Sequence, residues 1–147
     1  MSAPDEPAPL SVEAERRAEA ERWLAIARDD LEVSLAARSL PQPRAGIAAY
    51  HLQQAAEKVF KAMLVLSGQR LRRTHDLDEL AEELAPLYPG WRERLDALRP
   101  LTVWGIAYRY PSAEDEPEPE PDTAELEQAA TLIRQVLEDV GVLCCGD

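Results

Sequence analysis

The sequence has few cysteines, aromatic residues and glycines, and no apolar run long enough to span a membrane. Its first nine residues contain neither a basic segment nor an apolar core, so we expect no secretory signal peptide. Its two cysteines, Cys144 and Cys145, are adjacent, and neighbours of this kind form neither a disulfide framework nor a zinc site. We therefore expect a cytoplasmic protein without a metal, a cofactor or a membrane partner.

Positive charge is also scarce, because 16 Lys and Arg residues stand against 28 Asp and Glu residues and give a net charge of −12. Nucleic-acid affinity comes from clustered Lys and Arg, so this balance argues against a stand-alone nucleic-acid binder, and we expect no DNA partner. Five of the 28 acidic residues lie in one acidic, proline-rich run, residues 112–121, and Asp122 follows it directly. The rest of the chain is only moderately acidic, which leaves room for a local basic surface.

The abundant residues are alanine, leucine, glutamate and arginine, which lose little side-chain freedom in a helix. Apolar residues recur at helical spacing in five segments, and no strand-like alternation occurs. We place these segments at approximately residues 11–39, 45–67, 76–85, 91–107 and 122–143. Short connections imply antiparallel neighbours, so the predicted fold is all-α, an antiparallel bundle of four to five helices.

Several details follow from the same pattern. We expect residues 1–10 to be a disordered lead, residues 11–143 to form the helical domain, and residues 144–147 to be a tail. Gly68 should end the second helix, Pro100 should kink or split the fourth, and Asp122 should cap the last. For the first helix we predict one broad buried stripe, formed by Trp23, Leu24, Ile26, Ala27, Leu31, Val33, Leu35 and Ala37.

The second helix carries the most informative stretch, residues 50–62. At 3.6 residues per turn, its polar residues fall on one side, opposite the apolar set; they are His51, Gln54, Glu57, Lys58 and Lys61. One interpretation is the solvated face of an amphipathic helix, in which Glu57 and Lys61 form an ordinary i,i+4 pair. The other interpretation is a binding surface.

Two further motifs, a basic run at residues 70–76 and an aromatic motif at residues 108–111, can each be either structural or functional. The run Arg70-Leu71-Arg72-Arg73-Thr74-His75-Asp76 is either a solvated basic loop or a phosphate-facing cluster beside the start of the third helix. In Tyr108-Arg109-Tyr110-Pro111, two aromatic rings flank an arginine. Such a motif can stack on bases and hold phosphate, or it can anchor a loop against the bundle.

Three strings together closely resemble the HEPN domain family over roughly residues 20–143: His51-Leu52-Gln53-Gln54-Ala55-Ala56-Glu57-Lys58 with Lys61-Ala62, then Thr74-His75-Asp76-Leu77, then Arg109-Tyr110-Pro111. The resemblance implies a helical bundle that forms a homodimer and works beside a minimal nucleotidyltransferase, as in a toxin–antitoxin pair. It also implies a ligand that is a nucleotide or an RNA segment. The residues that would bind it are His51, Gln54, Glu57, Lys58, Lys61, Arg109 and Tyr110.

Many HEPN domains are metal-independent ribonucleases, and their signature is an arginine followed a few residues later by a histidine near the start of a late helix. Both histidines of this chain precede residue 76, so the signature is not found after Arg109. Catalysis therefore stays open, with Arg109, His51 and His75 as the catalytic candidates. Three functions remain: a non-enzymatic nucleotide or RNA module, a ribonuclease toxin with a non-standard Arg–His pair, and a plain protein-interaction scaffold that uses the acidic loop.

Overall fold

The computed structural model describes residues 7–107 and 119–145, which form an all-α fold without strands, as predicted. Three long helices dominate it: α1 (Val12–Arg38), α2 (Ala45–Leu66) and α6 (Thr123–Cys144). Between α2 and α6 lie α3 (Leu77–Leu84), α4 (Arg92–Leu98) and the single turn α5 (Trp104–Ala107), with 3₁₀ turns at Pro89–Trp91 and Arg99–Val103. None of the described helices has both the length and the hydrophobicity needed to cross a membrane.

The helix ends follow the local signals of the sequence. Asp122 Oδ1 accepts a hydrogen bond from Glu125 N at 2.8 Å and so caps α6. Gly68 lies just beyond α2 with a φ of +76°, a conformation that glycine adopts without strain. The 3₁₀ turn that contains Pro100 separates α4 from α5, so the predicted split of this segment is confirmed.

The helices α1 and α2 form a closely packed antiparallel pair. Near the connection between them, Ser34 Oγ donates a hydrogen bond to Ala48 O at 3.0 Å. Further along, the ammonium group of Lys61 lies 5.4 Å from the ring centroid of Trp23, so the contacts run in opposite directions on the two helices. Small side chains allow this close approach; the buried alanines are Ala20, Ala27, Ala37, Ala48, Ala49, Ala55, Ala56 and Ala62.

The predicted buried stripe of α1 is too wide, because three of its residues are exposed. Leu24 and Ala27 belong to the core, but Ile26, Val33 and Leu35 are 44%, 43% and 51% exposed. The long helices α2 and α6 both contact α1, and no other described element covers its remaining surface. Apolar residues at neighbouring positions of this alanine-rich helix therefore point away from the core.

Candidate functional site

Every lysine and histidine of the chain belongs to one connected group of polar side chains. The sequence contains two lysines and two histidines, and all four lie on α2 or on the loop that follows it. Two carboxylates and two amides complete the group, which we call the polar network. Its members are Asp30, His51, Gln53, Gln54, Glu57, Lys58, Lys61 and His75.

The outer part of the polar network joins α1 to the first half of α2. His51 Nδ1 lies 2.9 Å from Asp30 Oδ1. Because an ionised carboxylate only accepts hydrogen bonds, Nδ1 is the donor in this pair, and Nε2 has no hydrogen-bond partner within residues 7–107 and 119–145. Lys58 Nζ lies 4.0 Å from the other oxygen of Asp30, and the Tyr50 ring meets the His51 ring edge-on. The side chains of His51 and Lys58 are 25% and 15% exposed, so both are partly accessible to solvent.

Glu57 is the centre of the inner part. It is only 1% exposed, yet Oε1 lies 2.9 Å from His75 Nδ1 and Oε2 accepts a hydrogen bond from Lys61 Nζ at 3.0 Å. Lys58 Nζ lies 3.8 Å from the same Oε2. Lys61 is itself buried and lies over the ring of Trp23. These partners compensate the cost of burying a carboxylate.

A relay of side-chain amides connects Lys58 to the loop that carries His75. Lys58 Nζ donates to Gln54 Oε1 at 2.9 Å, and Gln54 Nε2 donates to Gln53 Oε1 at 2.7 Å. The buried amide of Gln53 then donates to the backbone oxygen of His75 at 3.1 Å. A Cβ added to Gly105 would lie 2.8 Å from Gln53 Cδ, so α5 also packs against this amide. The relay therefore ties both the loop and α5 to α2.

The structure brings the predicted residues of α2 together and divides them by exposure. His51, Gln54 and Lys58 are partly exposed, whereas Glu57 and Lys61 are buried. The Glu57–Lys61 pair suggested by the i,i+4 spacing is present, but in a buried rather than a solvated setting. The side chain of His75 is 74% exposed. The outer residues can therefore contact a ligand, while the inner ones hold them in place.

The predicted residues Arg109 and Tyr110 lie outside the described residues. Two members of the polar network, Asp30 and Gln53, were missed from the sequence. Gln53 falls among the apolar positions of α2, and a polar residue at a buried position is a usable signal. Nothing in the sequence links Asp30 to His51, because the two residues lie on different helices.

The charges of the polar network are balanced while its imidazoles are neutral, since Lys58 and Lys61 offset Asp30 and Glu57. Within residues 7–107 and 119–145, no group of His, Cys, Asp and Glu side chains is arranged to hold a metal ion. The chemistry available to these side chains is hydrogen bonding, proton transfer and attraction of anions.

The described chain is thus a small all-α domain whose second helix carries a partly buried network of charges. A model of the HEPN domain family matches residues 20–143, and the chain belongs to this family, as its motifs predicted. No curated protein and no solved structure matched the chain. Membership supports a nucleotide- or RNA-related module at the level of the family.

Proposed function

We propose that this HEPN domain binds a nucleotide or an RNA segment at the surface edge of the polar network, without catalysing a reaction. The observation that carries the proposal is the position of Lys58 Nζ, which lies within 4.0 Å of Asp30 and 3.8 Å of Glu57. Each of these carboxylates holds one histidine. The ammonium group therefore shares its two carboxylate neighbours with two oriented imidazoles, a combination that suits a ligand with both phosphate and hydroxyl groups.

The chemistry of the exposed atoms supports this ligand class. A neutral imidazole held at Nδ1 can accept a hydrogen bond from a ribose hydroxyl at Nε2, and a protonated one donates to a phosphate oxygen. Lysine attracts phosphate as a compact point charge. Glu57 and Lys61 support the site from beneath, and Arg109 and Tyr110 remain part of the proposal as groups that clasp phosphate and stack on a base.

The affinity of Lys58 variants for ATP and for a six-nucleotide RNA tests this function. We expect Lys58→Gln to weaken binding about ten- to a hundredfold, because a charge-assisted hydrogen bond contributes roughly 1.5–3 kcal/mol. Lys58→Arg keeps the charge and should restore most of the affinity. Arg92→Gln, a change of an exposed cation on α4, is the matched control and should have no effect. Equal affinities for wild type and Lys58→Gln would remove the proposal.

We also propose that the domain is a homodimer and the partner of a minimal nucleotidyltransferase in the cytoplasm, as in a toxin–antitoxin pair. A groove of about 910 Å³ between α1 and α6 supports the homodimer. It exposes Leu35 and Val142, and its rim carries charges of both signs, including Arg134 and Glu138. A second copy related by a twofold axis can match such a surface. A gene for a minimal nucleotidyltransferase beside this one would support the second partner.

A second function, metal-independent RNA cleavage, is favoured by one observation: the exposed ring of His75 is oriented by the buried Glu57. In that reaction Arg109 would stabilise the scissile phosphate, and His75 or His51 would take the proton of the 2′-hydroxyl as it attacks phosphorus. The P–O5′ bond breaks, and the same histidine returns the proton to the departing 5′-oxygen. Induced expression with RNA integrity as the readout separates the two functions. Toxicity that Arg109→Ala abolishes supports cleavage, whereas unharmed cells and intact RNA exclude it.

A further inference from the structure

The loop between α2 and α3 concentrates positive charge in an acidic protein. Arg70, Arg72 and Arg73 are all exposed. Among the residues that the structure describes, only Arg72 of these three has an ion-pair partner, Glu83, at 3.9 Å. The nearest helix is acidic, but two of its carboxylates are engaged elsewhere, because Asp78 and Glu82 of α3 both bind Arg99. The loop therefore keeps free guanidinium groups.

Both ends of this loop are fixed. At its start, the amide of Gln69 donates to Leu64 O at 3.0 Å, and the guanidinium group of Arg16 packs against Gly68. At its end, Gln53 binds the backbone oxygen of His75, whose ring is held by Glu57 as described above. A loop anchored at both ends loses little conformational entropy when a ligand binds.

We propose that residues 70–75 form a track that binds the phosphodiester backbone of single-stranded RNA and leads it to His75. The inference rests on the proposed function and adds to it a second subsite and a ligand class. Guanidinium groups pair with phosphate oxygens through two parallel hydrogen bonds, and three arginines within four positions can engage successive phosphates. A polynucleotide therefore gains contacts on this track that a mononucleotide lacks.

His75 distinguishes RNA from DNA on this track. With Nδ1 engaged by Glu57, Nε2 of this exposed histidine, which follows Arg73 by two residues, can bond a ribose 2′-hydroxyl. The phosphate contacts themselves are the same for the two nucleic acids. DNA of the same sequence should then show the same salt dependence with weaker binding.

The salt dependence of binding tests the track, with fluorescence anisotropy of a labelled six-nucleotide RNA between 50 and 300 mM salt as the measurement. The three phosphate contacts of the track contribute about −2 to the log–log slope, and the double variant Arg70→Gln/Arg73→Gln should reduce this contribution to about −0.7. Arg22→Gln/Arg92→Gln removes two exposed positive charges from α1 and α4 and should leave the slope unchanged.

Three outcomes overturn the inference. If the double variant keeps the wild-type slope while ATP still binds at Lys58, the track is wrong and the proposed function stands. If neither ATP nor RNA binds the wild-type protein, the proposed function fails and the track fails with it. DNA that binds more tightly than RNA would overturn the assignment to RNA. A hexaglutamate peptide that binds with the same salt dependence as the RNA would overturn it too.

Discussion

Glu57, which is 1% exposed, holds the ring of His75, whose side chain is 74% exposed, through a contact of 2.9 Å. A group that solvent does not reach thus fixes the tautomer of a group that solvent surrounds. The same carboxylate also neutralises the buried ammonium group of Lys61. The stability of the bundle and the chemistry of its surface therefore depend on one buried charge.

Replacing this carboxylate tests its structural role. Glu57→Gln keeps the volume of the side chain but removes its negative charge. The buried ammonium group of Lys61 then loses the carboxylate to which it donates a hydrogen bond. Removing one partner of a buried ion pair costs about 3–5 kcal/mol. We expect a decrease of this size in the free energy of unfolding, measured by urea denaturation.

The control for this substitution is Glu83→Gln. Glu83 contacts the exposed Arg72 at 3.9 Å, and pairs of this kind contribute less than about 1 kcal/mol. Its unfolding free energy should therefore stay close to that of the wild type. If both variants lowered the free energy of unfolding equally, Glu57 would not be an essential buried partner of Lys61.

Gly105 provides a test of how α5 is placed. A Cβ at this position would lie 2.8 Å from the buried amide of Gln53, so Gly105→Ala must displace either α5 or the amide relay. Overpacking of this kind typically costs about 1–3 kcal/mol. At Gly90 an added Cβ meets nothing within 4 Å, and Gly90→Ala should be neutral in the same thermal or urea unfolding. A neutral Gly105→Ala would contradict the close contact.

The two adjacent cysteines should differ in reactivity with pH. Burial, together with the nearby carboxylate of Glu21, raises the pKa of the Cys144 thiol from 9.0 to about 11. Because the thiolate is the reactive form, iodoacetamide at pH 8 should alkylate the exposed Cys145 first, as mass spectrometry of the peptides would reveal. Labelling of Cys144 should increase as the pH rises toward 11. Faster labelling of Cys144 at pH 8 would contradict its burial.

The raised pKa of Cys144 also makes the folding stability of the protein depend on pH. The raised pKa means that the folded state favours the protonated thiol of Cys144. The contribution of this protonated thiol to the free energy of unfolding is fully present below pH 9 and is lost as the pH rises toward 11. The stability of Cys144→Ala should therefore change less over this range than that of the wild type.

The proposed homodimer depends on the groove between α1 and α6. Leu35 is half exposed there, and Leu35→Glu would place an unpaired charge in the interface. We expect a dimer for the wild type and a monomer for this variant in multi-angle light scattering. Val33→Glu, on the same helix but outside the groove, is the control. A monomeric wild type would refute the homodimer.

The fold could be predicted from the sequence because its signals are local. Spaced apolar residues mark the helices, and single residues such as Asp122, Gly68 and Pro100 mark where they end or break. The buried face of α1 could not be predicted in the same way. Its apolar residues surround much of the helix, so periodicity did not separate the covered positions from Ile26 and Leu35.

The site could be predicted only where it lies on one helix. The spacing of His51, Gln54 and Lys58 on α2 indicated a shared face, which the structure contains. Burial of Lys61 and the contact of Asp30 with His51 depend on how α1 packs across α2. Such tertiary contacts leave no periodic trace in the sequence.

The most direct test of the account is NMR of the side chains of the polar network during titration with ATP and with the six-nucleotide RNA. Because the chain has only two histidines and two lysines, selective labelling gives four assignable probes. We expect the signals of His51, His75 and Lys58 to shift in a saturable manner. Signals that stay unchanged at saturating ligand would contradict the claim that this surface binds nucleotides or RNA.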